Sequence, residues 1–421
     1  MAKYIIEGGV RLKGEVKISG NKNSVLPCMA ACLLTDEEIT LSNCPDIADV
    51  KVFMEILMGL GVEVTRLSAD EIKLKASNVS GESLPKELTS RLRASVLLVG
   101  PLLGRLGKIE FYHPGGDIIG KRSIDTHIKG FKSLGYEFER EDKRYLGKRT
   151  RHVSEPTSIF LEEPSVTATE NLVLAAVLGK GETIIKNCAE EPHVVDLCNL
   201  LVKMGAKISG IGSSTLKIEP VEKLNGANFR IGQDYVEIGT YAIAAAITYG
   251  YITLTNCTLE DLEPITLPLE EFGVQITKYG DNKVKVTAEQ LKPVERLHVR
   301  PWPGFPTDLM SVFIVLATQA PGVTLLHDWM YESRMFFVDK LINMGASIII
   351  ADPHRVLVHG PSKLVGRELE TPDIRAGMAL VLASLVAKGT SVINKAELIE
   401  RGYENVVGTL HRLGVNIQRI D

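Results

Sequence analysis

The sequence predicts an α/β protein in which one supersecondary unit of about 70 residues is used six times. Three observations carry this expectation. The first is a phrase, apolar-Gly-x-x-apolar, found as Leu60-Gly61-Val62-Glu63-Val64, Leu134-Gly135-Tyr136-Glu137-Phe138, Met204-Gly205-Ala206-Lys207-Ile208, Phe272-Gly273-Val274-Gln275-Ile276, Met344-Gly345-Ala346-Ser347-Ile348 and Leu413-Gly414-Val415-Asn416-Ile417. Its glycines lie 74, 70, 68, 72 and 69 residues apart. The second is a helix rich in small residues, once per repeat. The third is an alternating strand after that helix. Six units exceed one core of ordinary size, so the pattern implies two domains of three repeats.

Each element has a local reason. The phrase reads as a helix ending at its C′ glycine, followed by a strand with apolar residues at every second position. The small-residue helices are expected at residues 24–34, 93–103, 169–178, 240–248, 308–318 and 375–387. They are apolar nearly all round, which places them inside. The strand that follows is clearest in Glu38–Asn43, Gly181–Asn187, Gly250–Asn256 and Gly389–Asn394, with 107–112 and 322–326 in the same slot. A loop and a second helix complete each unit.

Composition limits the function classes. The chain has 421 residues, 45% of them hydrophobic, enough for large cores. No apolar run reaches the roughly 18 residues of a membrane span. The opening Met1-Ala2-Lys3-Tyr4-Ile5-Ile6-Glu7 lacks a signal-peptide pattern, so a cytoplasmic location is expected. A net charge of −4 speaks against nucleic acid as partner. The six cysteines form no CxxC pair and have no histidines at metal spacing, so they read as core residues of a reducing compartment.

Loops that differ from their siblings are where chemistry is expected. Three small-residue helices start beside a cation: Lys22, Arg93 and Arg375. A cation there opposes the helix dipole, so three in equivalent places point to a bound anion. The loops after the strands add Arg122, Arg334 and Arg401. Planar guanidiniums suit carboxylates and phosphates. The first of these loops, in the second repeat, His113-Pro114-Gly115-Gly116-Asp117-Ile118-Ile119-Gly120-Lys121-Arg122-Ser123-Ile124-Asp125, is long and glycine-rich and reads as a mobile lid. In the fifth repeat Thr307 or Asp308 opens a helix, as an ordinary N-cap or as a functional acid. The residues thus describe a two-lobed protein with a cationic cleft faced by Asp117 and Asp308. That arrangement suits transfer chemistry on a small polyanion, with carboxylates moving protons.

A set of motifs in order then resembles the enolpyruvyl transferases from end to end. The set is Gly14-Glu15-Val16-Lys17-Ile18-Ser19-Gly20-Asn21-Lys22-Asn23, Arg93-Ala94-Ser95, the Pro-Gly-Gly loop ending at Arg122, Ser165-Val166-Thr167-Ala168-Thr169-Glu170-Asn171, Phe305-Pro306-Thr307-Asp308, Glu332-Ser333-Arg334, Asp373-Ile374-Arg375-Ala376 and Arg401-Gly402-Tyr403-Glu404. The resemblance lies with the branch acting on UDP-N-acetylglucosamine. The shikimate branch has Gly-Ser-Lys-Ser where this chain has Gly20-Asn21-Lys22-Asn23, and it carries a Gly-Asn-x-Gly-Thr stretch absent before Arg93.

The resemblance implies an inside-out α/β barrel of two domains, residues 22–230 (carrying loop 113–125) and 1–21 plus 231–421, with the active site between them. It implies transfer of the enolpyruvyl group of phosphoenolpyruvate to the sugar 3′-hydroxyl, the first committed step of peptidoglycan synthesis, through a tetrahedral ketal. The substrates are small molecules, no nucleic acid or membrane takes part, and no metal or organic cofactor is needed. Phosphoenolpyruvate would be held by Lys22, Asn23, Arg93, Arg122, Arg334, Arg375 and Arg401. The UDP-sugar would meet Asn23, Arg93, Asp125, His127, Ser165, Val166, Asp308 and Met330. Catalysis would fall to Asp117, Asp308, Lys22, Arg122 and Arg401, with Asp308 as base and Asp117 as acid.

Most of the family has cysteine at position 117, the thiol that fosfomycin alkylates. The resemblance with Asp117 in its place implies an active but fosfomycin-insensitive enzyme. Glu163, Lys121 and Ser123 also depart from common family residues. The alternative to an enzyme is a paralogue that binds the UDP-sugar without catalysis. Such a copy is expected to lose its clustered cations, and this chain keeps all six.

Overall fold

The computed structural model describes residues 2–79, 83–116, 119–120 and 122–421. They form two compact units. Unit 1 comprises Met1–Ser19, Asp117–Lys121 and Gln233–Asp421, and unit 2 comprises Gly20–Gly116 and Arg122–Gly232. The described loop residues Ile119 and Gly120 therefore group with unit 1, whereas loop 113–125 was assigned whole to the other lobe.

Each repeat places its small-residue helix inside. These helices are α1 (Lys22–Ala30), α2 (Val99–Leu106), α3 (Val166–Ala176), α4 (Tyr235–Ile247), α5 (Met310–Gln319) and α6 (Ile374–Val386). Every residue of α4 is buried, and α6 is buried from Ile374 to Leu385. A helix apolar on all sides is stable only with packing on all sides. Three such helices centre each core. One hydrophobic cluster lies wholly in unit 1 and the other wholly in unit 2.

The strands after these helices are β1 (Glu38–Ser42), β2 (Lys108–Tyr112), β3 (Thr183–Lys186), β4 (Tyr251–Thr255), β5 (Gly322–His327) and β6 (Thr390–Asn394). All six sheets follow one plan. The named strand pairs with one parallel neighbour on one side and, on the other, with an antiparallel strand that carries a second antiparallel strand at the edge. In the second sheet the parallel neighbour shrinks to a bridge from Ser83 to Glu110. The N-terminal strands complete two sheets of unit 1: Lys3–Glu7 runs antiparallel to β6, and Lys13–Lys17 parallel to β4. This explains why residues before Ser19 belong with the C-terminal half.

Two repeated devices explain the periodic phrases. The six phrase glycines have φ of +88°, +86°, +104°, +87°, +103° and +95°, so each ends its helix in the left-handed region that a side chain disfavours. The asparagines after β1, β3 and β4 also take positive φ. Their amides donate to the carbonyls of Ile231, Leu161 and Ile18 at 2.9, 2.8 and 2.7 Å, tying each strand end to its parallel neighbour.

Inside unit 2, α2 and α3 meet at closest approach. A side chain at Gly100 would lie 2.3 Å from the Asn171 carbonyl oxygen. The buried Asn171 amide fills the contact, accepting from Gly100 N–H at 2.7 Å and donating to the Val96 carbonyl at 3.0 Å. Asn171→Ala leaves the Gly100 N–H without its side-chain acceptor, whereas the Val96 carbonyl keeps the Val99 N–H. It is expected to cost about 1–3 kcal/mol, measured by denaturant unfolding.

No helix among the described residues is long and apolar enough to cross a membrane. All six cysteines are buried. Burial pushes the thiols of Cys44, Cys198 and Cys257 up to about 12, so they remain inert.

Candidate functional site

In unit 1 the site is built around one carboxylate between two arginines. Asp308 lies in a short helical turn, Thr307–Leu309, that leads into α5. Pro306 holds the N-cap position and no side chain caps that turn, so the N-cap reading of Asp308 does not hold. Its Oδ2 accepts from Arg375 Nε and Nη2 at 3.1 and 2.8 Å, and its Oδ1 accepts from Arg334 Nη2 at 3.2 Å. The two arginine side chains are 7% and 2% exposed and that of Asp308 is 28% exposed, so the carboxylate is the part that solvent reaches.

The arginines are held from behind. Arg375 follows Asp373, whose carboxylate caps α6 by accepting from the N–H groups of Arg375 and Ala376 at 2.9 and 3.1 Å. The Arg375 guanidinium lies 5.6 Å from the Tyr403 ring, and Tyr403 hydrogen-bonds Thr240 at 2.9 Å. Burial opposes charge on Arg375, but Asp308, then Tyr403 and Asp234, outweigh it. Arg334 lies 5.4 Å from the Tyr331 ring and 3.9 Å from the buried Asp328. Asp328 also accepts from the Thr307 hydroxyl and, at 2.9 Å, from Met330 N–H. Arg401 closes the short helix Ala396–Arg401, half-buried, two residues before Tyr403.

In unit 2, Asn21 caps α1, its side chain accepting from Asn23 and Ser24 N–H at 2.8 and 3.3 Å. Lys22 pairs with the buried Asp49 at 2.6 Å, and Asn23 is half-buried beside it. Arg93 opens a short helix, and its guanidinium donates to the Ser123 carbonyl at 2.9 Å. Ser123 also accepts, through its hydroxyl, from Asp125 N–H at 3.0 Å, which sets the exposed Asp125 at the start of helix Asp125–Ser133. Arg122 lies half-buried just before this junction. His127 is buried, with Nε2 3.0 Å from the Thr167 hydroxyl. Burial, and secondarily Arg93, lower its pKa to about 3, so it is a neutral imidazole. Ser165 caps α3, Val166 is its first residue, and both are half-buried. Glu163 accepts from the Thr126 hydroxyl at 3.2 Å.

Lys22, Arg334 and Arg375 are met by carboxylates: Asp49 answers Lys22, and Asp308 answers both Arg334 and Arg375. The Pro-Gly-Gly segment is also packed at its start. A side chain at Gly115 would lie 1.6 Å from the Ser90 carbonyl oxygen, so glycine is needed there for close approach to the segment carrying Arg93. Asp117 and Lys121 lie outside the described residues. Asp49 and Asp328 were missed by sequence reasoning. Asp328 had a signal, because it follows β5 in the slot where three sibling repeats carry asparagine. Among the described residues no group of three His, Cys, Asp or Glu side chains is placed to hold a metal ion.

A family model described as EPSP synthase (3-phosphoshikimate 1-carboxyvinyltransferase) matches residues 6–410. The chain belongs to the enolpyruvyl transferase family. Within this family, it is 45% identical to the UDP-N-acetylglucosamine 1-carboxyvinyltransferase of Treponema denticola over 99% of both chains. It is likewise 45% identical to the protein of that name from Borreliella burgdorferi, over 100% of this chain and 99% of the relative. Two solved structures share the fold. The enolpyruvyl transferase NikO of Streptomyces tendae has a TM-score of 0.89 at 24% identity, covering 99% of this chain and 98% of NikO. EPSP synthase of Acinetobacter baumannii has 0.79 at 16%, covering 100% of each chain.

Proposed function

We propose that this chain transfers the enolpyruvyl group of phosphoenolpyruvate to the 3′-hydroxyl of UDP-N-acetylglucosamine, releasing phosphate, in the first committed step of peptidoglycan synthesis. The observation that carries this reading is full-length identity of 45% with relatives of that activity. The paired arginines around Asp308 give it a chemical basis.

In this reading Lys22, Asn23, Arg93, Arg122, Arg334, Arg375 and Arg401 bind phosphoenolpyruvate, whose charges need several cations. Asn23, Arg93, Asp125, His127, Ser165, Val166, Asp308 and Met330 meet the nucleotide sugar. Residues 22–230 act as one lobe and 1–21 plus 231–421 as the other. The chain works in the cytoplasm on small molecules alone.

Asp308 is the general base. It is engaged by Arg334 and Arg375. The carboxylate of phosphoenolpyruvate competes for the same guanidiniums, which frees Asp308 to accept the sugar hydroxyl proton. The oxygen then bonds C2, while Asp117 protonates C3 to a methyl group. Loss of a proton from that methyl group expels phosphate and restores the double bond. Lys22, Arg122 and Arg401 stabilise the charge on the leaving phosphate.

Phosphate release from phosphoenolpyruvate tests the reading. Release that requires UDP-N-acetylglucosamine supports it. Nucleotide-sugar binding without release would shift the assignment to a non-catalytic paralogue.

A further inference from the structure

Ser19 is the last residue of unit 1 before the chain passes to unit 2, three positions ahead of Lys22. Two carboxyl groups of unit 1 hold it. Its N–H donates to Glu237 Oε2 at 2.6 Å, and its hydroxyl lies 3.5 Å from Glu237 Oε1 and 3.4 Å from Glu404 Oε2. Its carbonyl accepts from Asp234 N–H at 3.0 Å. Glu237 stands in the first turn of α4, is 5% exposed, and has no part in the addition and elimination.

The hydroxyl of Ser19 has one hydrogen and faces two carboxyl oxygens. With both acids ionised, one of those contacts lacks a proton. A proton on Glu237 Oε1 satisfies the whole chain: Glu237 donates to Ser19 Oγ, and Ser19 donates to Glu404. We infer that Glu237 is a positioning residue that works as the neutral acid, its proton completing a Glu237–Ser19–Glu404 chain that ties the 401–404 turn to the strand end leading to Lys22. The inference rests on the proposed function, because that reading gives Arg401 and Lys22 their roles.

The surroundings favour this protonation. Burial comes first, then the charge of Asp234, with Glu404 adding; together they outweigh the Ser19 hydrogen bonds and push the Glu237 carboxyl up to about 8. Tyr241 one turn along and Cys257 after β4 also face it; burial first, and then the charge of Glu237, raises both. Arg375 and Tyr403 interact with Asp234. As pH rises through about 8 the Glu237 proton is lost, Asp234, Glu237 and Glu404 crowd Ser19 as three anions, and the chain of donors breaks.

The test compares the full-length protein with Glu237→Gln, whose amide keeps the donor and cannot ionise. The wild-type KM for phosphoenolpyruvate is expected to rise roughly tenfold between about pH 7 and about pH 9, with a smaller change in kcat. The variant is expected to match wild type at neutral pH and stay flat. A variant with the wild-type rise overturns the inference. Stability supplies a readout independent of catalysis. The folded pKa lies above the unfolded value of about 4.3, so this stabilisation is complete below that value and is lost as pH rises through about 8. Wild type should therefore lose Tm relative to Glu237→Gln across that window. Equal slopes overturn the proton-holding role whether or not either protein is active. If both proteins are inactive at neutral pH but the slopes differ, the reaction assignment fails and the buried proton stands. Should Glu237→Gln not fold, Ser19→Ala replaces it. That variant is expected to show a raised neutral-pH KM with no alkaline rise, and wild-type behaviour at both pH values overturns the inference.

Discussion

Asp308→Asn is expected to lower kcat by a factor of about 10³, within the range for loss of a general base. Binding of phosphoenolpyruvate should change far less, because the arginines that hold it remain. The substitution also removes the carboxylate that bonds Arg375 directly and the acid that acts most strongly on Arg334, ahead of Asp373 and Asp328. Leaving buried charges unanswered costs about 3–5 kcal/mol. The loss here belongs near the lower end, since the Asp308 side chain is 28% exposed and water can partly replace it. A second outcome distinguishes this account from a purely structural role. Phosphoenolpyruvate brings its own anionic groups to the same arginines, so saturating substrate should restore most of the lost Tm while kcat stays low. Steady-state kinetics and thermal melts with and without phosphoenolpyruvate check both effects. Wild-type kcat in the variant would remove Asp308 from the chemistry.

Fosfomycin is expected to cause no time-dependent inactivation of the wild-type protein. A carboxylate is a much weaker nucleophile toward an epoxide than a thiolate, and the six cysteines are buried. A carboxylic acid can still supply the C3 proton if its surroundings keep it protonated. Asp117→Cys should therefore keep turnover and become sensitive, with the mass of one drug molecule added to the protein. Irreversible inactivation of wild type with such an adduct would refute the role given to Asp117. An inactive or still-resistant cysteine variant would count against the equivalence of the two residues.

The repeats were legible because each carries a local constraint. Gly61, Gly135, Gly205, Gly273, Gly345 and Gly414 need positive φ whatever the tertiary context, so they stand out in a single sequence. The apolar character of α4 and α6 likewise announces burial. The cations at helix starts were legible as violations of a dipole rule. Their partners were not. Asp49 looks like any acid in a first helical turn, and only folding brings it to Lys22. Asp308 and Arg375 lie 67 residues apart in different repeats, and no local pattern shows that one carboxylate serves two arginines. The Ser19–Glu237 contact spans 218 residues and joins the first strands to the fourth repeat. Such pairings follow from how the repeats pack within each unit, a non-local property of the fold.

Product analysis with two competing acceptors tests the central claim most directly. Purified protein would be given phosphoenolpyruvate with equal UDP-N-acetylglucosamine and shikimate 3-phosphate, and the products resolved by mass and by the position of the new ether. The account predicts that only the nucleotide sugar is consumed, gaining an enolpyruvyl ether on its 3′-oxygen. An enolpyruvyl ether of shikimate 3-phosphate, with the nucleotide sugar untouched, would contradict it.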